Sequence, residues 1–449
     1  MRAMTDEAAG DVRTNDVTGG AGTGGAGTGA VGTGGVIGLD EFRAEVRAWL
    51  AANLRRRPVG VQDGGEARTD GQVAAARPLQ RKLFDAGYAG ISFPREYGGR
   101  GLGAEHERVF REESRDFVTP HFGGAGHVTF TAIARSMLAH ASPEFLSRHI
   151  PPILAGERLW CQFYSEPEAG SDLAGIRTTA RREGDRWVLN GSKIWSTGAH
   201  QADYAMCLAR TDWDVPKHRG LTWFAVPTDA TGVTVRPIRQ INGASGFCEA
   251  FLDDVVVSDE DVIGEINQGW SVAQTMLVHE RGAGSFGPAR AEPRDLAPDL
   301  VELARRAGRI EDPVARQAIA RAHINDFAQY HLGLRIGAQL RGSAAPQPAV
   351  AAYGKLAAGV LSPIRARITV EVGGAEALLW PQGADESATA PATTYLNGRM
   401  VSIAAGTNEV QRNGIGERVL GLPREPSFDA RKPFRDVVRD ARTWDGRIG

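Results

Sequence analysis

The sequence predicts an α+β multidomain protein, with an N-terminal α-helical domain, a middle antiparallel β domain and a C-terminal four-helix bundle. Its 449 residues, of which 42% are hydrophobic, exceed what one hydrophobic core usually supports. Apolar residues recur at helical spacing, then at strand spacing, then at helical spacing again. These changes of period set the expected domains at 39–158, 159–268 and 269–424.

Composition excludes several classes of partner. The formal net charge of −2 provides no basic field for nucleic acid or an anionic membrane. The cysteines Cys161, Cys207 and Cys248 lack CxxC spacing, which argues against a disulfide framework and a metal site. No apolar run approaches the roughly 18 residues of a membrane span, and no secretion signal begins the chain. We therefore expect a cytoplasmic protein with a small-molecule partner.

The first 158 residues divide into a tail and a helical domain. Residues 1–38 are dominated by Gly, Thr and Ala and predict a disordered tail. From Asp40 an apolar stripe and an acidic first turn predict a helix. Further helices are expected at Gln72 to Asp85, Glu105 to Asp116, Phe130 to Ala139 and Pro143 to Leu154, with a loop from Phe93 to Gly103.

The middle region has the pattern of short strands bounded by turns. Strands are predicted at Tyr204 to Arg210, Leu221 to Pro227, Val233 to Pro237 and Glu249 to Val257. Arg186 to Leu189 and Lys193 to Thr197 predict a hairpin around Asn190-Gly191. On a regular strand Trp195 and Thr197 share a face, so an indole and a hydroxyl would meet one flat ligand. We expect a sandwich or barrel, and no dinucleotide-binding βαβ unit.

Long helical patterns return after Gly269. They predict helices at Trp270 to Arg281, Ala297 to Ala307, Pro313 to Leu340, Pro348 to Val372, Arg399 to Ala404 and Asn408 to Leu420. The Gly- and Pro-rich stretch Gly373 to Thr394 predicts a long connecting loop, and residues 425–449 predict a C-terminal tail.

Two features carry candidate chemistry. Ala273, Met276, Leu277 and Glu280 fall on one helix face, and an apolar stripe with one carboxylate is uncommon. Burial there would raise the pKa of Glu280, which makes it a candidate general base. An ordinary surface Glu at the edge of the stripe is the alternative. The polar loop Glu166 to Asp172 mixes turn formers with hydrogen-bond donors, which suits a bend around a polar, ring-bearing ligand.

Three separated blocks resemble acyl-CoA dehydrogenases in order and spacing over roughly residues 39 to 424. They are SEPEAGSD with the following KIWST, MLVHERG, and AAGTNEVQRNGIGERVLGLP. The resemblance implies FAD as the cofactor and an acyl-CoA substrate, oxidised by α-proton transfer to a carboxylate and β-hydride transfer to flavin N5. It further implies a role in fatty acid or lipid catabolism, electron transfer to an electron-transfer flavoprotein, and a homo- or hetero-oligomer, dimeric or tetrameric.

The resemblance also assigns cofactor-binding residues. It implies flavin contacts from Tyr164, Ser165, Gly170, Ser171, Trp195 and Thr197, FAD contacts from Thr407 and Glu409, and contacts from a neighbouring subunit by Glu371, Val372 and Gly374. From the residues alone, Trp195 also suits a core anchor and Thr197 a strand hydroxyl. Thr407 suits a helix N-cap, which would expose N–H groups of the first turn to a phosphate.

The base follows a minority pattern of the family. Many members place the catalytic Glu immediately before the Gly-Thr of the last block, where this chain has Ala405. A subgroup that includes isovaleryl-CoA dehydrogenase-like enzymes takes the base from the helix after the β domain, followed by Arg, as in Glu280-Arg281. The resemblance therefore implies Glu280 as the catalytic residue and Ser171, Arg281 and Ala405 as substrate-binding residues.

One departure leaves two alternatives. After the Glu280 helix the family usually has an Arg-x-x-Phe-Gly segment that reaches the partner's flavin, whereas this chain has RAEPRDLAPDL. The chain could be a partner subunit of a heteromeric enzyme with little activity alone, or a homomer that binds FAD more weakly. Apart from this departure, an oxygen-using oxidase or monooxygenase of the same fold is a further alternative. The scattered histidines predict no metal site, and Ser171 has no triad that would indicate a hydrolase.

Overall fold

The computed structural model describes residues 37–57, 70–282, 293–341, 348–380, 390–424, 426–427 and 429–443. Helices, then strands, then helices follow one another along the chain, as predicted. The predicted glycine-rich tail lies almost entirely outside the described residues. Among the helices that are described, none is both long and apolar enough to cross a bilayer.

The N-terminal helices bury their apolar side chains in more than one cluster. Their bounds are α1 Leu39–Asn53, α2 Asp70–Asp85, α3 Ala104–Glu113, α4 Gly123–Val128, α5 Ala134–His140 and α6 Pro143–Leu154. A π-helical turn, Thr129–Ile133, joins α4 to α5. The stripe of α1 is confirmed, because Phe42, Val46 and Leu50 are fully buried. The predicted loop from Phe93 to Gly103 contains only a short 3-10 turn.

The middle region is one eight-stranded sheet with the order β6-β7-β3-β2-β4-β5-β8, and β1 pairs with β4. Most pairs are antiparallel, but β1 runs parallel to β4. The strand bounds are β1 Trp160–Phe163, β2 Thr179–Glu183, β3 Arg186–Thr197, β4 Tyr204–Arg210, β5 Leu221–Pro227, β6 Val233–Ile238, β7 Phe247–Ser258 and β8 Val262–Ile263.

The predicted hairpin around Asn190-Gly191 is wrong. Residues 186–197 form the single strand β3, which pairs with β7 along both halves and with β2. The chain turns earlier, at Gly184-Asp185, where Gly184 has a φ of 65°. Asn190 lies at a register shift instead, and its side chain exchanges hydrogen bonds with Asp254 across the sheet at 2.8 and 2.9 Å. Pairing with β7 therefore outweighs the local turn preference.

The C-terminal region is helical, and its long helix α10 contacts α7, α8, α9, α11 and α12. The bounds are α7 Gly269–Gly282, α8 Pro298–Arg306, α9 Pro313–Arg341, α10 Pro348–Gly373, α11 Pro391–Asn397, α12 Asn408–Arg418 and α13 Phe434–Thr443.

Three expectations for this region differ from the structure. The stretch expected as one long loop contains the 3-10 turn Gly374–Leu378 and the start of α11, although 381–389 lie outside the described residues. The helix expected near Arg399 is only a short 3-10 turn, Met400–Ser402. The expected C-terminal tail carries α13, whose Phe434 is 3% exposed.

One hydrophobic core joins the sheet to helices on both sides of it in the sequence. It includes Met137 and Ile150 from the N-terminal helices, Trp160 and Trp223 from the sheet, and Met276 from α7. This packing brings α7, which carries Glu280, against residues at and just after the end of β1.

Candidate active site

A buried ion pair fixes the loop that follows β1. The Lys193 ammonium donates to Glu166 Oε1 at 2.8 Å, and the side chains are 0% and 8% exposed. The same ammonium donates to the carbonyls of Tyr164 and Leu208, at 3.2 and 2.7 Å. Burial by itself would raise the pKa of Glu166, but Lys193 holds that pKa below its usual range. The loop is therefore tied to the middle of β3.

The Glu166 carboxylate also closes the far end of the same loop. It accepts hydrogen bonds from the backbone N–H groups of Arg177 at 2.6 Å and Thr178 at 2.9 Å. Neither Glu166 nor Lys193 was predicted as a site residue. The signal in the sequence was a lysine inside a strand, a residue type that is almost never fully buried unless it is paired.

The outer part of this loop presents Gly170 and Ser171. A turn at Glu166 brings the loop back on itself, and Ala169 is buried beneath it. Gly170 and Ser171 are exposed, and a Cβ placed on Gly170 would meet no atom within 4 Å. Nearby, the Ser165 carbonyl accepts from the Ile194 N–H at 2.9 Å, which joins the base of the loop to β3. A ligand can therefore reach the backbone of Gly170 and Ser171 from outside.

Trp195 occupies a bulge near the end of β3. The register with β7 shifts between Lys193 and Ser196, and Trp195 has a φ of 63°. Its indole is 56% exposed and lies edge-on to Phe247, with ring centroids 6.1 Å apart. An exposed indole does not anchor a core. A non-glycine residue in this conformation costs about 1–3 kcal/mol, and such strain is concentrated at functional sites.

The bulge corrects the expected alternation along β3. Lys193 and Ser196, three residues apart, are both buried, so the strand is not regular across Trp195. Thr197 is half-buried and lies against α4, since a Cβ on Gly124 would come within 2.5 Å of Thr197 Cγ2. Trp195 and Thr197 both lie at the end of the strand, and α4 approaches Thr197 there.

The predicted face of α7 packs against β1. Ala273 and Met276 are fully buried, as expected. The Tyr164 hydroxyl donates to the Ala273 carbonyl at 3.2 Å, and the Gln162 amide contacts Met276 Sδ at 2.8 Å. Glu280 is half-buried and lies on this face one turn beyond Met276, roughly 6 Å along the helix axis. The backbone of Arg281 continues α7, and its side chain lies outside the described residues.

The last block forms a tight turn before α12. Ala405 has a φ of 53° and Gly406 one of 92°. The Gln411 side chain donates to both of their carbonyls, at 3.3 and 3.2 Å. The Thr407 hydroxyl accepts from the Val410 N–H at 3.2 Å, so the predicted N-cap is confirmed. Backbone hydrogen bonding at the helix start lowers the pKa of Glu409.

Glu371 and Gly374 lie elsewhere in the same chain. The Asn408 amide donates to the carbonyl of Gly359 on α10, whereas Glu371 is twelve residues further along that helix, about 18 Å away. The Glu371 carboxylate accepts from Arg321 at 3.1 Å, and Gly374, the first residue after α10, has a φ of 53°. These two residues therefore do not join Thr407 and Glu409 within one chain.

A cavity of about 700 Å³ opens beside Glu371. Its lining combines apolar and aromatic side chains with one cation and one carboxylate: Arg367, Val370, Glu371, Leu378, Trp380 and Tyr395. Val372, predicted with Glu371, is fully buried, so its side chain faces the core instead of this cavity.

Histidines do not gather into a metal site in the part of the chain that the structure describes, where no group of three or more His, Cys, Asp or Glu side chains is arranged to hold an ion. His279, next to Glu280, is half-buried. Burial, with the nearby charge of Arg135, lowers the pKa of His279. Because the His279 imidazole is neutral, it places no positive charge next to the Glu280 carboxylate.

Family models match nearly all of this architecture. The acyl-CoA dehydrogenase N-terminal domain matches residues 39–157, the middle domain 161–255 and the C-terminal domain 267–420. Acyl-CoA dehydrogenase IpdE1 of Mycobacterium tuberculosis is 37% identical over 392 residues, which cover 86% of this chain and 98% of that protein. Its namesake from Mycolicibacterium smegmatis is 36% identical over 405 residues, 87% of this chain and 99% of the relative.

Solved structures agree with these relatives. The Tcur3481-Tcur3483 steroid ACAD has a TM-score of 0.68 and 30% identity, and the match covers 86% of this chain and 98% of that one. The ChsE4-ChsE5 complex from Mycobacterium tuberculosis has a TM-score of 0.65 and 28% identity over the same shares. Helical, β and helical domains in this order, each matched by a family model, define a flavin-dependent dehydrogenase class. This chain belongs to the acyl-CoA dehydrogenase family.

The chain is therefore an oxidoreductase, and FAD is the cofactor of its family. The residues fit that group. The exposed Gly170, the strained and exposed Trp195, Thr197, and the capped start of α12 each offer a group that FAD uses: backbone hydrogen-bond donors, a ring face, a hydroxyl, and helix N–H groups for phosphate. When bound, the flavin supplies a hydride acceptor.

Proposed function

We propose that this chain catalyses the FAD-dependent α,β-dehydrogenation of an acyl-CoA thioester, with Glu280 as the base that removes the α-proton. The observation that carries the proposal is the packing of α7. The face that bears Glu280 also bears Ala273 and Met276, and these two contact Tyr164 and Gln162 at the end of β1. The candidate base thus extends from the helix that lies against the proposed flavin loop.

The residues divide the work of the reaction. Glu280 accepts the α-proton, and a positioned general base contributes about 100- to 10,000-fold to such a step. The backbone N–H of Ala405 donates a hydrogen bond to the thioester carbonyl oxygen, where negative charge develops as the α-proton leaves. Gln411 holds the carbonyls of Ala405 and Gly406, so this turn is set before substrate arrives. Arg281 and Ser171 complete the proposed substrate contacts.

The FAD contacts are proposed for Tyr164, Ser165, Gly170, Ser171, Trp195, Thr197, Thr407 and Glu409. Glu371 and Gly374 are proposed to contact the FAD of a neighbouring subunit, which suits their distance from Thr407 along α10. Electrons then pass to an electron-transfer flavoprotein.

Similar structures suggest the first substrates and assembly to test. One is the Tcur3481-Tcur3483 steroid ACAD, and another is the ChsE4-ChsE5 complex. We therefore propose that the substrate is a CoA ester with a bulky, steroid-sized acyl group, in preference to an ester with a short straight chain. We also propose that the active form is an oligomer, either of this chain or with a second, related chain.

The test is an anaerobic titration of the purified chain with acyl-CoA esters, followed by the visible flavin absorption. We expect bleaching by a substrate, loss of bleaching in Glu280→Gln, and no loss in Glu265→Gln, an exposed carboxylate in the turn before α7. Bleaching that persists in Glu280→Gln overturns the assignment of the base. Rapid reoxidation by air, with slow transfer to an electron-transfer flavoprotein, favours the oxidase or monooxygenase alternative.

A second candidate is a partner subunit with little activity of its own. Ala405 stands where many family members carry their catalytic Glu, and this observation favours it. The candidate predicts a colourless chain when purified alone. It also predicts that Glu280→Gln leaves the activity of the reconstituted complex intact, the opposite of the first proposal.

A further inference from the structure

The C-terminal segment 429–443 docks on the loop between β4 and β5, residues 211–220. The N–H groups of Phe434 and Arg435, at the start of α13, each donate at 3.0 Å to the carbonyls of Val215 and Trp213. Phe434 is 3% exposed, and its ring centroid lies 5.5 Å from that of Trp213. This segment lies beyond residue 420, where the family match ends.

Lys217 connects the docked segment to the loop that holds Ser171. Its ammonium donates to Asp429 at 2.6 Å and to Asp172 at 2.9 Å. The Lys217 side chain is only 12% exposed, so it is held between the two carboxylates. Burial alone would lower the pKa of Lys217. The hydrogen bonds and negative charges of Asp429 and Asp172 outweigh burial and raise that pKa above its usual value.

Arg210 makes a second connection beneath the first. Its guanidinium is fully buried and donates to the carbonyls of Ala174 at 2.6 Å and Ile176 at 3.1 Å. It donates as well to the Lys217 carbonyl at 3.2 Å, and its Cζ lies 3.7 Å from the Phe434 ring centroid. One planar cation therefore contacts both loops and the C-terminal segment.

The loop 211–220 also reaches the helix that carries Glu280. His218 lies edge-on to Trp270, in the first turn of α7, with ring centroids 4.7 Å apart. Docking at Phe434 is thus linked to both halves of the proposed active site, the loop of Ser171 and the start of α7.

We propose that segment 429–443 is a strap that holds loop 211–220, and that Lys217 and Arg210 are positioning residues for residues 168–176. Through these contacts, the strap orders residues 168–176 before the flavin and the CoA ester bind. The part of the inference that concerns ligand binding rests on the proposed function, because it takes Ser171 as a flavin and substrate contact. The part that concerns loop order does not.

Hydrogen exchange of the full-length chain, with and without FAD, tests the strap. The variants are Lys217→Met, Asp429→Asn and Phe434→Ala. Asp440→Asn is the matched control, because this half-exposed carboxylate pairs with Lys432 and Arg439 within the same segment. We expect amides in 168–178 to exchange about tenfold faster in the three variants, as local opening becomes easier, and to be unchanged in the control.

Ligand binding gives the second readout. We expect FAD to bind several-fold more weakly and KM for the acyl-CoA to rise with kcat little changed, and we expect Asp429→Glu to recover both. Faster exchange confined to 434–443, or equal acceleration in Asp440→Asn, overturns the strap. Should Phe434→Ala fail to fold, Asp429→Asn decides the question. Glu280→Gln should leave exchange in 168–178 unchanged, so failure of the proposed base and failure of the strap are distinguishable.

Discussion

The buried Lys193 ammonium and Glu166 carboxylate lie 2.8 Å apart, and they join strand β3 to both ends of the loop that presents Gly170 and Ser171. The pair is separated by 27 residues in the sequence. Trp195 and Thr197 follow Lys193 on the same strand, so one ion pair sets the spacing between the two sides of the proposed flavin site.

Removing one partner of this pair should destabilise the protein more than removing both. Lys193→Met leaves the Glu166 carboxylate buried without its cation, which typically costs about 3–5 kcal/mol. Lys193→Met combined with Glu166→Gln should cost less, because no unpaired charge remains. Thermal unfolding of the two single variants and the double variant measures the coupling. Additive losses would mean that the pair does not act as a unit.

Filling the space between α4 and β3 should weaken FAD binding. A Cβ on Gly124 would come within 2.5 Å of Thr197 Cγ2, so Gly124→Ala must displace the Thr197 side chain. Gly103→Ala is the matched control, because a Cβ there meets no atom within 4 Å. We expect the dissociation constant for FAD to rise roughly tenfold in Gly124→Ala and to stay unchanged in Gly103→Ala. Titration followed by flavin fluorescence measures both values. Equal affinities in both variants would exclude Thr197 as a flavin contact.

Loss of the α12 cap should reduce both stability and FAD affinity. Thr407→Ala removes the acceptor for the Val410 N–H, a change that usually costs about 0.5–2 kcal/mol. Thr407→Ser keeps the hydroxyl and serves as the control. Unfolding and FAD titration of the two variants separate the effects. If Thr407→Ala lowers stability but leaves FAD affinity unchanged, the residue is a plain N-cap.

His149 should make the protein sensitive to moderate acid. Its imidazole is 2% exposed among Phe145, Trp160 and Tyr204, and burial lowers its pKa from 6.5 to about 3. The unfolded chain therefore binds one more proton than the folded chain between those values, so stability falls as pH drops below 6.5. Each pH unit costs about 1.4 kcal/mol in that window.

The measurement is the pH dependence of unfolding in His149→Phe, which replaces the imidazole with an apolar ring. We expect this variant to lose less stability than the unmodified chain between pH 6.5 and 4.5, whatever its stability at neutral pH. Parallel curves for the two proteins would show that His149 is protonated inside the fold.

The sequence was most informative where periodicity and burial agree. β4 and β5 lie in the interior of the sheet, and their bounds match the prediction. The apolar face of α7 and the Thr407 cap were also predicted, because both follow from spacing within a few residues.

Long-range pairing explains the errors. Asn190-Gly191 is a strong local turn signal, but β7 pairs with both sides of it and keeps β3 continuous. The Glu166–Lys193 pair and the contact of Phe434 with Arg210 join residues far apart in the chain, so local spacing does not show which residue each one pairs with. The sequence thus named candidate flavin contacts, which remain predictions, but it did not predict the ion pair and the contacts that hold the loop 166–178 in place.

The rate of α-proton exchange tests the central claim most directly. The FAD-bound chain is mixed anaerobically with an acyl-CoA substrate or a non-oxidisable analogue in deuterated water, and deuterium at the α-carbon is followed by mass spectrometry. Glu280→Gln should slow exchange at least about a hundredfold, the low end of general-base contributions, while Glu265→Gln should not. Exchange in Glu280→Gln within a few-fold of the unmodified protein would contradict the account.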